Sequence, residues 1–247
     1  MIRPSAIYNL MSCVPEWFAV RRHDSHEISG TATVPVIGAA TDYVMSLTIS
    51  GDAGTISVRE TEPLVIPSFC PERHVNEDLS CCLGFGVEDV AARDEAVVWW
   101  ELLRNYILLQ RTASRTRRWP KGKEIAHGGA GKHHVRARQI AEQLCIRDEY
   151  DDAVAGGRHW CNDSSLRIAP GGRSLCNGRL RCPMGCPGRR GRPRLRRECL
   201  HREHVAQLVR LERLRQKAAQ EFLSAIRRKG HRCCGALVDC PLADQAA

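Results

Sequence analysis

The chain has 247 residues, room for one large domain or two small ones. With 43% hydrophobic and 26% charged residues it has ordinary globular composition, which excludes wholesale disorder and low-complexity or collagen-like character. No run approaches the roughly 20 apolar residues that a membrane span needs. Pro4, Asn9, Pro15 and Glu16 interrupt any apolar leader core, so the expectation is a cytoplasmic protein with no membrane partner.

Charge and cysteine are distributed unevenly. The chain holds 13 cysteines and a formal charge of +9. Residues 1–160 carry 18 Lys and Arg against 21 Asp and Glu, whereas residues 161–247 carry 19 against 7 and eight of the cysteines. A nearly neutral body thus precedes a basic, cysteine-rich tail. In a reducing compartment such thiols point to metal ligation or catalysis before disulfides.

In chain order, the first pattern is strand-like. Thr33–Ile37, Tyr43–Ile49, Thr55–Arg59 and Pro63–Pro67 are short β-branched runs, with Ser50–Gly54 as one of the turns between them. They predict an antiparallel meander. Phe69–Glu88 has no period of either kind. Ala91–Ala113 turns helical, with Val97, Trp100, Leu103, Ile107 and Leu108 at three- and four-residue spacing, and Trp119-Pro120 ends it. His133–Ile146 predicts a second amphipathic helix. Asp151–Pro193, rich in Gly, Arg, Ser and Cys, reads as loop or metal-pinned knuckle. His201–Lys229 is the clearest helix, with an apolar stripe of Leu208, Leu211, Ala218, Phe222 and Ile226 and a stop at Gly230. The fold class is therefore α+β: an antiparallel meander with flanking helices, then a helical, cysteine-rich extension. The expected division is 1–120, 121–160 and 161–247.

The irregular stretch holds the chemistry. Cys70, His74, Asn76, Cys81 and Cys82 fall close together beside a rigid sheet, where an exposed thiolate can be aimed and an amide can stabilise an oxyanion. A zinc site fits the same residue types, either from Cys70, His74, Cys81 and Cys82 or from Cys70, Glu72, His74 and the distant His127. A plain buried polar cluster is the third reading. In the tail, Cys182, Cys186, Cys199 and His201 bracket an arginine run in the manner of a zinc knuckle, similar to the one that ends the secretion motor ATPase, with Met184 where that knuckle has its second cysteine. His204 is a substitute ligand. Cys233, Cys234 and Cys240 either pack back on that knuckle, complete a second metal site with His231, or form an apolar plug. The arginines suit an acidic protein surface better than nucleic acid, since no aromatic residue interleaves with them for base stacking.

Strands, a Pro-bounded turn, His74-Val75-Asn76, Cys82-Leu83 and then Trp99-Trp100 on a helix resemble the ubiquitin-conjugating enzyme fold over residues 30–115. That family carries His-Pro-Asn before its thioester cysteine. Here Val75 replaces the proline, and Cys82 lies six positions after Asn76. A wider resemblance, carried by Phe69–His74, Cys82-Leu83-Gly84, Arg118-Trp119-Pro120, Ala126-His127-Gly128, Cys233-Cys234-Gly235 and Asp239–Leu242, is to a bacterial family of cysteine-rich proteins associated with ubiquitin-conjugating domains. It implies a conjugation pathway with a ubiquitin-like modifier and an activating enzyme, with antiphage defence as its expected setting. It further implies, if the core is active, a transferase with Cys82 as nucleophile, Asn76 as oxyanion donor and His74 as a loop-shaping residue. The cofactor expected is zinc in the tail. A non-catalytic zinc-binding adaptor and a basic nucleic-acid-binding protein are the alternatives.

Overall fold

The computed structural model describes residues 5–35, 42–52, 55–61, 64–67, 69–84, 89–120, 123, 126–188, 191–238 and 240–243. They form two compact units, one of residues 1–120 with 232–247 and one of residues 121–231.

The first unit opens with a short helix, α1 (Ala6–Met11), capped by the Ser5 hydroxyl accepting from Tyr8 N–H at 3.2 Å. Four strands follow, β1 (Phe18–His23), β2 (Glu27–Val34), β3 (Tyr43–Asp52) and β4 (Thr55–Glu60), paired antiparallel in chain order. The expected meander is therefore present, with differences at its ends. β1 was not legible because only Phe18 of its six residues is buried, so the run lacks inside–outside alternation. The first expected strand, Thr33–Ile37, lies further back as β2, which ends at Val34; residues 36–41 are outside the described set. The run Pro63–Pro67 is irregular at the described residues 64–67. A carboxylate explains this. Glu60 is buried and accepts from the N–H groups of Val65 and Ile66 at 2.8 and 2.9 Å, donors that a further strand would need for its ladder.

β2 alternates strictly, burying Ile28, Gly30, Ala32 and Val34. Gly30 belongs to the inward row because a Cβ there would lie 2.5 Å from the Ala19 carbonyl oxygen and 2.6 Å from the Phe18 ring. Against this face packs α2 (Arg93–Thr116), burying Trp99, Trp100, Leu103 and Ile107. Glu95 caps its start by accepting from the N–H groups of Ala91 and Ala92 at 2.7 and 3.0 Å. Trp100 Nε1 donates to the Leu10 carbonyl at 3.1 Å, which ties α1 to the same core.

The second unit contains α3 (Ala130–Gln143), α4 (Arg147–Val154) and α5 (Arg202–Arg228). α3 and α5 pack together through Ala137, Ile140 and Ala141 on one side and Val205, Leu208 and Leu211 on the other. α4 falls in a stretch whose Asp and Glu residues hid its apolar positions, Tyr150 and Ala153. Among the described residues, no helix is long and apolar enough to cross a membrane.

Candidate functional site

The irregular stretch is a compact double turn docked on the open edge of β4. Cys70 pairs with Val75 around a 3-10 turn at Pro71–Arg73, and Val75 in turn pairs antiparallel with Cys81. Asn76 N–H donates to the Ser80 carbonyl at 2.8 Å and Cys82 N–H to the His74 carbonyl at 2.8 Å, the bonds that flank Val75 and Cys81. Cys81 N–H donates to the Val58 carbonyl at 2.7 Å, which continues the ladder from β4.

That pairing places the two adjacent cysteines on opposite faces. Side chains alternate across a strand, so Cys81 faces the same way as Val75 while Cys82 faces the other way with Asn76 and Ser80. Burial follows the alternation: Cys81 is 7% exposed and Val75 2%, whereas Cys82 is half-buried and Asn76 exposed. The Cys81 thiol is pushed up to about 12 by burial and is hydrogen-bonded to the Tyr106 hydroxyl. A thiol so placed is a core residue and not a nucleophile. Asn76 Nδ2 donates to Ser80 Oγ at 2.9 Å, and Ser80 Oγ donates to Asp78 Oδ1 at 2.7 Å, which fixes the direction of the amide.

One face of α2 holds the double turn. Tyr106, Gln110 and Ser114 recur every four residues and all bond to the turn. Tyr106 Oη lies 3.3 Å from the Arg73 carbonyl and 3.2 Å from that of His74. Arg73, 3% exposed, donates from Nε to Gln110 Oε1 at 2.8 Å and from Nη2 to Ser114 Oγ at 2.7 Å, and Gln110 Nε2 returns a bond to the Arg73 carbonyl. His74 is buried in a left-handed conformation (φ 55°) with its ring edge-on to Trp119 at 4.9 Å. It shapes the turn from inside. Tyr106 and Gln110 are not legible in the sequence because polar residues on a long helix read as its solvated side, and their four-residue spacing is the available signal; Arg73, in the turn, has no such signal.

A sheet that hands a cysteine-bearing turn to a tryptophan-rich helix is the framework the sequence led one to expect. Residues 17–121 match the family model of the prokaryotic E2 domain, and residues 126–242 match that of the cysteine-rich domain C-terminal to it. The chain carries a prokaryotic E2 domain followed by the cysteine-rich domain that accompanies it. No curated protein and no solved structure matches it. An E2 domain followed by its cysteine-rich partner marks the chain as a component of a conjugation pathway, with a ubiquitin-like modifier and an activating enzyme as its general partners.

Within the cysteine-rich domain, Cys182 and Cys186 sit on a hairpin. Cys182 N–H donates to the Arg194 carbonyl at 2.8 Å, Arg194 N–H to the Cys186 carbonyl at 3.1 Å and Gly188 N–H to the Arg192 carbonyl at 2.8 Å. Cys182 is hydrogen-bonded to Cys199 and has Cys186 close by; burial first, then these two thiols, push it up to about 11 against the opposing Met184 N–H. Of the four expected knuckle ligands, Cys182 and Cys199 are thus in contact, with Cys186 near them. The fourth, His201, is exposed at the start of α5 with its ring 6.5 Å from that of His204. His127 is stacked on Phe222 at 5.3 Å in the second unit, whereas Cys70, Glu72 and His74 belong to the first. Among the described residues, no three Cys, His, Asp or Glu side chains already surround a single point as a bound ion requires. Arg189 and Arg190 lie outside the described residues. Arg181, Arg192 and Arg194 line an open cleft of about 830 Å³ together with Leu195, Leu200 and Glu198.

Proposed function

We propose that the protein is a thioester carrier of a ubiquitin-like modifier in a bacterial conjugation pathway, an antiphage defence pathway in the setting its family resemblance implies. The observation that carries the reading is the opposed placement of the adjacent cysteines: Cys81 sealed in the core, Cys82 on the outward face that it shares with the anchored Asn76 amide. The Cys82 thiolate attacks the thioester carbonyl that links the modifier to the activating enzyme. A new S–C bond forms, the old one breaks, and the activating enzyme's thiolate leaves. An amine then attacks the Cys82 thioester carbonyl: an N–C bond forms, the S–C bond breaks, the Cys82 thiolate leaves and the amine's proton passes to solvent. In the transfer to the amine the Asn76 side-chain N–H group supports the negative carbonyl oxygen, and His74 keeps the turn in shape without exchanging protons. The cysteine-rich domain, with zinc at Cys182, Cys186 and Cys199, offers the arginine-lined cleft to an acidic surface of a partner.

With cognate activating enzyme, modifier and ATP, the full chain should form an adduct that thiol reductants release. Cys82→Ser should abolish that reducible adduct, and Cys81→Ser should retain it. Asn76→Ala should charge normally yet discharge to amine roughly 10²-fold more slowly, the scale of losing one oxyanion donor. A reducible adduct that survives Cys82→Ser, or one lost in Cys81→Ser with the fold intact, overturns the assignment.

A further inference from the structure

Four cysteines meet where neither domain's own sequence would place them. The family model of the cysteine-rich domain runs to residue 242, but the described residues from 232 to 243 belong to the same compact unit as the E2 domain. Arg117, just past the end of α2, fastens them: its carbonyl accepts from Val238 N–H at 2.9 Å and its guanidinium donates to the Gly235 carbonyl at 3.0 Å. This brings Cys233, Cys234 and Cys240 to Cys70. The Cys70 sulfur is hydrogen-bonded to Cys234 and has Cys240 as a neighbour, and Cys240 is hydrogen-bonded to Cys233.

The backbone around these sulfurs is already arranged for thiolates. Gly235 N–H points at Cys233 Sγ at 3.3 Å, and Ala236 N–H points at Cys234 Sγ at 3.4 Å. Arg73 N–H and Leu242 N–H do the same for Cys70 and Cys240. Each N–H donor stabilises the charged form of its sulfur. Two buried thiols, Cys70 and Cys240, and two half-buried ones, Cys233 and Cys234, each with a backbone N–H directed at its sulfur, form a donor set that suits a divalent soft cation.

We propose that Cys70, Cys233, Cys234 and Cys240 form a tetrathiolate zinc site that clamps the end of the chain onto the E2 domain. The sulfurs now lie as two contacting pairs, Cys70 with Cys234 and Cys233 with Cys240, and zinc draws the pairs into one tetrahedral shell. Binding releases the thiol protons to solvent and changes no oxidation state. Because Cys70 begins the turn that leads to His74 and Asn76, the metal also braces the Cys82 loop. The site is separate from the hairpin of Cys182, Cys186 and Cys199, and it does not depend on the carrier chemistry of Cys82.

The test uses the full chain purified under reducing conditions, with zinc measured per chain and each thiol's alkylation mapped by mass spectrometry. Cys240→Ser should lose one zinc equivalent relative to wild type, and Cys82→Ser should lose none. In the wild type, Cys70, Cys233, Cys234 and Cys240 should be protected as a set and become reactive together when a strong chelator is added. Cobalt substitution of the wild type should give the intense thiolate charge-transfer bands of a four-sulfur site. These two wild-type measurements keep the test decisive should the variant fail to fold. Zinc content unchanged in a folded Cys240→Ser variant, chelator-independent alkylation of the four, or their recovery as disulfides would overturn the site and leave the carrier assignment standing.

Discussion

Arg73→Ala should unfold the E2 domain at markedly lower denaturant and weaken modifier charging in whatever remains folded. The guanidinium is buried, donates to Gln110 and Ser114 and lies beside the buried Glu60 carboxyl, whose carboxylate it favours against burial. Truncation strands Gln110 Oε1 and leaves Glu60 without its nearby cation. Deleting one member of such a buried charged network typically costs about 3–5 kcal/mol. Urea unfolding of the full chain, followed by tryptophan fluorescence, would register this as a lower midpoint. Arg73→Lys keeps the charge but cannot reach two acceptors in one plane, so it should fall between wild type and alanine. A midpoint unchanged in Arg73→Ala would show that the face of α2 does not hold the turn. The coupling to function follows from the His74 carbonyl, which receives both the Tyr106 hydroxyl and the Cys82 N–H. Loosening the turn therefore loosens the cysteine.

The sequence revealed elements wherever one face is buried and the other wet. β3 and β4 showed themselves by alternation, α2 and α5 by stripes of three- and four-residue period. β1 was hidden because an edge strand with one buried residue has no pattern to read. α4 was hidden by its acidic composition. The candidate site was legible as a set of residue types, Cys82, Asn76 and His74, and as a family resemblance. What decides their roles was not: which of Cys81 and Cys82 faces outward depends on the pairing of Val75 with Cys81, and a register slip of one residue would exchange them. The meeting of Cys70 with the far end of the chain leaves no local trace at all. Polar residues that bind other polar residues inside the fold, such as Gln110 and Glu212, are indistinguishable in sequence from those on a wet surface.

Glu212 sets the largest effect expected in the second unit. Although charged, it is wholly buried on α5, where its carboxylate accepts from Arg215 twice, at 2.8 and 2.7 Å, from Gln216 at 2.8 Å and from the Tyr150 hydroxyl at 2.9 Å. Glu212→Ala leaves Arg215 half-enclosed without a counter-ion and should cost about 3–5 kcal/mol. A far-UV circular dichroism denaturation curve that does not move would refute this. The same network makes stability depend on acid through His134 of α3. Its Nδ1 is buried with no hydrogen-bond partner among the described residues, and its ring lies 6.2 Å from that of Tyr150. Burial first, then Arg215 and Arg138, lower His134 to about 4 from 6.5, against the opposing pull of Asp151 and Glu212. The unfolded chain therefore takes up this proton before the folded one does. The resulting contribution is present above pH 6.5 and is lost as pH falls towards 4, a total of ~3 kcal/mol at 1.36 kcal/mol per unit. His134→Gln should flatten that part of the acid limb relative to wild type, since carboxylates titrating in the same window are common to both proteins. Parallel stability profiles between pH 6.5 and 4 would mean that the proton finds a partner in the folded state.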